Sequence, residues 1–158
     1  LTVIFAGTIG VTLAWLVVEV GALVGYTTLL IARHLGRGCK VLSFEISEVL
    51  ADRAKVNIAK AGLSANADVI RGDAREHLGH IDGLIDMVFL DAERAQYINY
   101  LKKIEPKLSP GATVVAIGAG LFAKRMESYF EYVRESGKYE STSRVFGDDA
   151  VEISTYRG

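Results

Sequence analysis

Apolar runs alternate with amphipathic stretches along most of the chain, and several of the runs end in an acid. Trp15–Val20 is apolar apart from Glu19, and a run of that kind predicts a strand buried on both faces. Tyr26–Leu35 has helical spacing and is closed by Gly36 and Gly38. Lys40–Glu45 predicts a second strand. Ser47 is placed to cap the next helix, which carries Leu50, Ala54, Ile58 and Ala61 on one face and stops at Gly62. Asp68–Arg71 predicts a short third strand, followed by Gly72-Asp73-Ala74 and a short helix to about Gly79. Ile85–Leu90 is a fourth strand running into Asp91. Arg94–Glu105 is helical, and Pro106 and Pro110-Gly111 punctuate a loop. Ala112–Ile117 is a fifth strand, and Phe122–Glu135 an amphipathic helix ended by Gly137. Tyr139–Phe146 and Val151–Arg157 predict a hairpin around Gly147-Asp148-Asp149. Residues 1–14 read as a short helix or as an added strand packed on the core.

Strands alternating with helices predict an α/β domain with a doubly wound, mostly parallel sheet and right-handed crossovers. The last hairpin adds antiparallel pairing at one edge. No repeat or linker interrupts residues 1–158, so one domain is expected.

Composition narrows the function classes. A chain of 158 residues, half of them hydrophobic, is long enough for a real core and too apolar for disorder. A net charge of −1 with dispersed basic residues gives no reason to expect nucleic acid. Cys39 is the single cysteine, which excludes a disulfide framework and fits a reducing, cytoplasmic setting. His34, His77 and His80 lack zinc-site spacing. Residues 1–18 carry no charge, but glycines and threonines dilute them and no basic flank precedes them. A buried segment is therefore expected over a membrane span or a signal peptide. The first residue is Leu1, which fits a processed chain, a fragment or an incomplete N-terminus.

The candidate chemistry centres on Val17–Thr28. An apolar strand, an acid, a glycine turn and a helix form a binding site for a small polar ligand. The glycines follow E-x-G-x-x-x-G through Glu19, Gly21 and Gly25; Leu23 and Tyr26 stand where a dinucleotide fingerprint needs glycine. That spacing disfavours a nicotinamide-dependent oxidoreductase. In a doubly wound sheet the ligand lies beyond the carboxyl ends of the strands, where Glu19, Glu45, Asp73 and Asp91 fall in succession. An acid after the second strand suits a ribose diol, one after the third an exocyclic amine, and those after the first and fourth an ammonium group. The set suits a ligand with adenine, ribose and an amino-acid tail.

Four blocks carry a resemblance: Glu19–Thr28, Phe44-Glu-Ile46, Arg71-Gly-Asp-Ala74, and Met87–Arg94 with Tyr97. They resemble the S-adenosylmethionine-dependent O-methyltransferases of the catechol and caffeoyl-CoA type, and the likeness runs from about residue 15 to 157. By that resemblance Glu19 and Asp91 border the methionine part and Thr27 binds its carboxylate. Gly21 and Gly25 form the turn, Glu45 binds the ribose, Ile46 packs on adenine, and Asp73 and Ala74 read its edge. Asp91, Glu93, Arg94 and Tyr97 then surround the methyl site, with Asp91 or Glu93 as the base. Helix capping remains an alternative role for Thr27 and Asp73, and simple core packing for Ile46.

Three departures from the resembling family stand out. Its divalent cation is held by the acid matching Asp91 and by an Asp-Asn pair that falls here on Ile117 and Gly118, neither with a side chain for a hard cation. The lysine base of its catechol branch is replaced by Arg94, and arginine does not give up its proton at ordinary pH. The family also has more chain before the first strand. The expectation is a metal-independent S-adenosylmethionine-dependent methyltransferase, releasing S-adenosylhomocysteine and acting on an unidentified small acceptor, with a homodimer left open. The rival is a degenerate S-adenosylmethionine-binding protein or subunit without catalysis.

Overall fold

A computed structural model describes residues 16–36 and 38–158. The helix-or-strand expectation for residues 1–14, and Trp15 at the start of the first strand, lie outside the described residues. The described strands are β1 (Leu16–Val20), β2 (Lys40–Glu45), β3 (Ala67–Arg71), β4 (Ile85–Leu90), β5 (Leu108–Ile117), β6 (Tyr139–Phe146) and β7 (Asp149–Tyr156). The α-helices are α1 (Tyr26–His34), α2 (Glu48–Lys60), α3 (Ala74–His77), α4 (Tyr97–Ile104) and α5 (Glu127–Glu135). One sheet takes the order β3-β2-β1-β4-β5-β7-β6. β1 to β5 pair in parallel, and β7 is antiparallel to both β5 and β6. This is the expected α/β architecture with its antiparallel edge.

The strand side chains alternate between two apolar layers, as a pleated sheet covered on both faces requires. Val17, Val41, Val69, Met87 and Phe89 meet Ile31 and Ala32 of α1 and Ala51, Ala54 and Ile58 of α2. Val18, Val20, Phe44, Val88 and Leu90 meet Tyr97, Leu101 and Ile104 of α4 and Tyr129 and Val133 of α5. Each fully buried Leu, Ile or Phe contributes about 1.5–3 kcal/mol relative to exposure.

β7 begins at Asp149, two residues before the expected Val151, so the hairpin turn is Gly147-Asp148, and larger boundary changes fall in three places. β5 begins at Leu108 and runs through Pro110-Gly111, which the sequence marks as loop. Thr113–Ala116 pair with β4 in one continuous register, whereas Leu108 pairs with Ile85 across a register shift, so the irregularity sits where the proline falls. The segment expected as one helix from Phe122 to Glu135 is a 3₁₀ turn at Ala123–Met126 followed by α5. Arg94–Gln96 is likewise a 3₁₀ turn before α4.

Candidate functional site

The sheet order reverses between β1 and β4, and a cavity of about 420 Å³ opens beyond the carboxyl ends of the strands there. That location and size are those of an α/β ligand site. Of the residues named from the sequence, Gly21, Glu45, Ile46, Asp73, Ala74, Asp91 and Glu93 line it. Glu19, Gly25, Thr27 and Arg94 are not on its wall.

Glu45 is the most fixed of the lining acids. It is buried, and each of its oxygens takes one backbone N–H: Leu23 donates to Oε2 at 2.8 Å and Ser47 to Oε1 at 2.9 Å. The carboxylate thereby joins the loop after β1 to the start of α2, and each oxygen keeps a lone pair for a further donor. Ser47 also caps α2, accepting from Leu50 N–H at 3.4 Å. Beside Glu45, Ile46 turns its side chain outward and is 71% exposed, which removes the core-packing alternative.

Asp73 does cap its short helix, accepting from Arg75 N–H at 2.9 Å, and it holds the Arg75 guanidinium at 2.5 Å. The Arg75 hydrogen bonds keep its carboxyl below the usual range. Thr27 does not cap α1, whose N-cap is Gly25 in the left-handed region with no side-chain cap bond.

The glycine turn also has a rationale within the fold itself. A Cβ on Gly21 would lie 2.2 Å from the Asp91 carbonyl oxygen, and Gly21 has φ +103°. A Cβ on Gly25 would lie 3.2 Å from the Ala54 Cβ. Both glycines therefore admit the protein's own backbone and helix rather than only a ligand. Gly21 lets β1 and β4 release their loops side by side, and Gly25 lets α1 start against α2.

Glu19 is fully buried on the α1 side of the sheet. The Thr28 hydroxyl donates to Oε2 at 2.5 Å and the Ser43 hydroxyl donates to the same oxygen. Oε1 has no partner among the described residues. Burial pushes this carboxyl up to about 7, against the two hydroxyl bonds that lower it. Thr28, and not its neighbour Thr27, reaches this acid. The sequence signal for Ser43 was a polar residue inside the otherwise apolar segment Val41–Phe44.

At the other side of the cavity, Arg94 bridges the ends of β4 and β5. It donates to Asp91 Oδ1 at 3.0 Å and to the Ala92 carbonyl at 2.7 Å. Its guanidinium stands 4.9 Å from the Phe122 ring centre. A Cβ on Gly118 would lie 3.1 Å from Arg94 Nε, so the arginine fills the space that a side chain there would use. Burial raises the Asp91 carboxyl, and Arg94 opposes that shift.

Glu93 pairs with Arg125 at 2.6 Å. Tyr97, expected beside the methyl site, is fully buried, and its hydroxyl donates to the carbonyls of Leu90 at 2.9 Å and Ile117 at 3.2 Å. It fastens α4 to two strand ends instead. Asp149 Oδ1 accepts from Gly120, Leu121 and Ala150 N–H at 3.1, 3.0 and 2.7 Å. Burial pushes this carboxyl up, but the three backbone bonds outweigh it and hold it below the usual range. Gln96, Tyr100 and Arg75 also line the cavity, and the sequence offered no signal for them beyond their place on α3 and α4 and their flanks.

The side chains around Asp91 supply few oxygens for a hard cation. Its carboxylate is paired with Arg94, and Ile117 and Gly118 offer no side-chain oxygen. Among the described residues, no three His, Cys, Asp or Glu side chains converge. No helix among the described residues is long and apolar enough to cross a membrane.

Comparison with known proteins bears on the family and the fold. The chain is 31% identical over 104 residues to the catechol O-methyltransferase of Niastella koreensis, covering 63% of this chain and 47% of that protein. It is 31% identical over 160 residues to catechol O-methyltransferase B of Danio rerio, covering 90% of this chain and 58% of that one. Among solved structures, the O-methyltransferase from Bacillus cereus in complex with SAH superposes with a TM-score of 0.87 at 21% identity, over 99% of this chain and 78% of that chain. The chain thus spans about half the length of the curated relatives it matches. A methyltransferase-domain family model matches residues 18–116, well over half of the sequence, and the chain belongs to that family.

Proposed function

We propose that this chain is an S-adenosylmethionine-dependent methyltransferase domain that works without a metal ion. The observation that carries the proposal is Glu45, locked by two backbone N–H groups on the wall of a cavity that also holds Asp73 and Asp91. A fixed carboxylate at the end of the second strand suits a ribose diol, and the exposed Ile46 beside it suits the face of an adenine. The names of the related O-methyltransferases support the same reading.

When bound, S-adenosylmethionine supplies a sulfonium methyl group that an acceptor's lone pair can displace in line. The chain's own contribution is mainly to orient and to exclude water. Glu45, Asp73 and Ala74 would hold the nucleoside, and Gly21 and Asp91 would border the amino-acid tail, while Glu19, buried behind the turn, stays out of contact with it. Asp91, raised by burial, is the better placed of the two acids to take the acceptor's proton, since Glu93 is tied outward to Arg125. Arg94 orients the acceptor or its anionic group and cannot act as base. No step passes through a cation, because the donor set does not fit one.

One observation favours the rival reading of binding without catalysis: Asp91 and Glu93 are both in ion pairs, with Arg94 and Arg125. Calorimetry with S-adenosylmethionine, followed by transfer of a labelled methyl group to a panel of small phenols, acids and amines, separates the two. Binding with transfer supports the enzyme, binding without transfer to any acceptor supports the rival, and absence of binding overturns both.

A further inference from the structure

Among the described residues no strand pairs with the outer edge of β6, the last strand in the sheet order. An exposed edge is a template for pairing, and monomeric proteins usually blunt it with a short strand, charged side chains (lysine above all), prolines, a bulge or a covering segment. The two charges on β6, Glu140 and Arg144, are opposite in sign and so do not repel a second copy. β3, at the opposite edge, is five residues long, and its Arg71 is engaged by Glu48 and Asp52. β6 is eight residues long, contains no lysine or proline, and pairs with β7 in an unbroken register. Val145 on it is 76% exposed.

Its sequence is self-complementary. Glu140-Ser-Thr-Ser-Arg144 places an acid and a base symmetrically about Thr142. Phe146 and Asp149 flank a two-residue turn, so they are a hydrogen-bonded pair, and the alternation of antiparallel bonding then follows along β6. It turns the backbone groups of Glu140, Thr142 and Arg144 toward β7 and those of Ser141, Ser143 and Val145 outward.

We propose that the open edge of β6 pairs antiparallel with β6 of a second copy of this chain, about a two-fold axis through Thr142. In that register Ser141 of each copy faces Ser143 of the other, both with outward backbone groups, as a hydrogen-bonded pair requires. Glu140 of each copy faces Arg144 of the other in a non-hydrogen-bonded pair, where side chains stand closest. Arg144 makes no ion pair within the chain among the described residues, and Glu140 is held only by the exposed Arg157 at 3.3 Å. Moving the axis by one residue, to Ser143, would set Glu140 against Phe146 and leave both charges unmatched. The interface is isologous, and it is an edge rather than a broad face, so the association is weak and concentration-dependent.

The test is sedimentation equilibrium of the chain over a range of concentrations. A monomer–dimer equilibrium is expected. Glu140→Arg and Arg144→Glu should each raise the dimer dissociation constant by about tenfold or more, since each dimer contains the pair twice. The double variant Glu140→Arg/Arg144→Glu should return it to the original value. Arg157→Ala, which breaks only the pair within the chain, should leave it unchanged. Thr142→Cys, which faces itself, should cross-link two copies on mild oxidation, and Arg144→Cys should not. A monomer at every concentration overturns the proposal. So does a dimer indifferent to the single reversals, a double variant as weak as the singles, or cross-linking through Arg144→Cys in place of Thr142→Cys. All these positions except Thr142 carry exposed charged side chains, and circular dichroism confirms the fold of each variant.

Discussion

Arg94 donates to Asp91 at 3.0 Å while its guanidinium rests against Gly118, so one side chain spans the ends of β4 and β5. A positive charge is thus built into the place where Asp91 would otherwise be free to collect a cation. Cofactor binding and methyl transfer are expected to be unchanged by EDTA and by added Mg²⁺. Loss of either with the chelator, restored by Mg²⁺, would refute a metal-independent site.

Glu45→Ala should weaken S-adenosylmethionine binding by roughly 10- to 150-fold, corresponding to about 1.5–3 kcal/mol for charge-assisted bonds to a diol. Because Glu45 also accepts from Leu23 and Ser47 N–H, the variant is expected to lose some thermal stability as well. Titration calorimetry below the melting temperature isolates the binding effect. An unchanged dissociation constant in a folded variant would remove the ribose assignment.

Gly21→Val should damage folding first and binding only in consequence. The new Cβ would overlap the Asp91 carbonyl at 2.2 Å, at a φ of +103° that valine disfavours. The expected loss is on the order of 3 kcal/mol or more, read by chemical denaturation, and an insoluble product fits it equally. A Gly21→Val protein with wild-type stability would contradict the close approach of the two loops.

Glu19 gives a pH dependence whose sign can be worked out. Its carboxyl rises from 4.5 to about 7 on folding, mainly through burial. Between those values the folded chain holds a proton that the unfolded chain has released, so stability falls as pH rises. The contribution is complete below about pH 4.5 and gone above about pH 7. Glu19→Gln removes the titration while keeping a hydrogen-bonding side chain. In the ligand-free protein the variant should gain on the parent as pH rises from 5 to 8, by on the order of 3 kcal/mol in all. A difference in melting temperature that stays constant over that range would mean that Glu19 is charged throughout.

The sheet was readable because parallel strands buried on both faces leave continuous apolar runs, and the helices between them carry a periodic face. The acids at strand ends were readable for the same reason, since a charge closing such a run has few places to go. What the sequence hid were relations between distant segments. Nothing near Gly21 announces that its neighbour is the Asp91 carbonyl, and nothing near Tyr97 says that its hydroxyl turns inward to Leu90 and Ile117. Arg94 was visible as a substitution for a base, but its seat against Gly118 and Phe122 depends on the third dimension. Local spacing reports the face on which a residue lies, and not what meets it there.

Asp149 gathers three N–H groups from two segments of chain on a single oxygen, and Ala119 N–H reaches the carbonyl of Ala150 at 2.8 Å. The loop leading to Phe122 and the β6–β7 hairpin are therefore one cooperative unit for local opening. Fraying of the hairpin releases the loop, and with it the aromatic ring that supports the Arg94 guanidinium. The margin of the sheet thus supports, through Phe122, the arginine that holds Asp91 on the cavity wall.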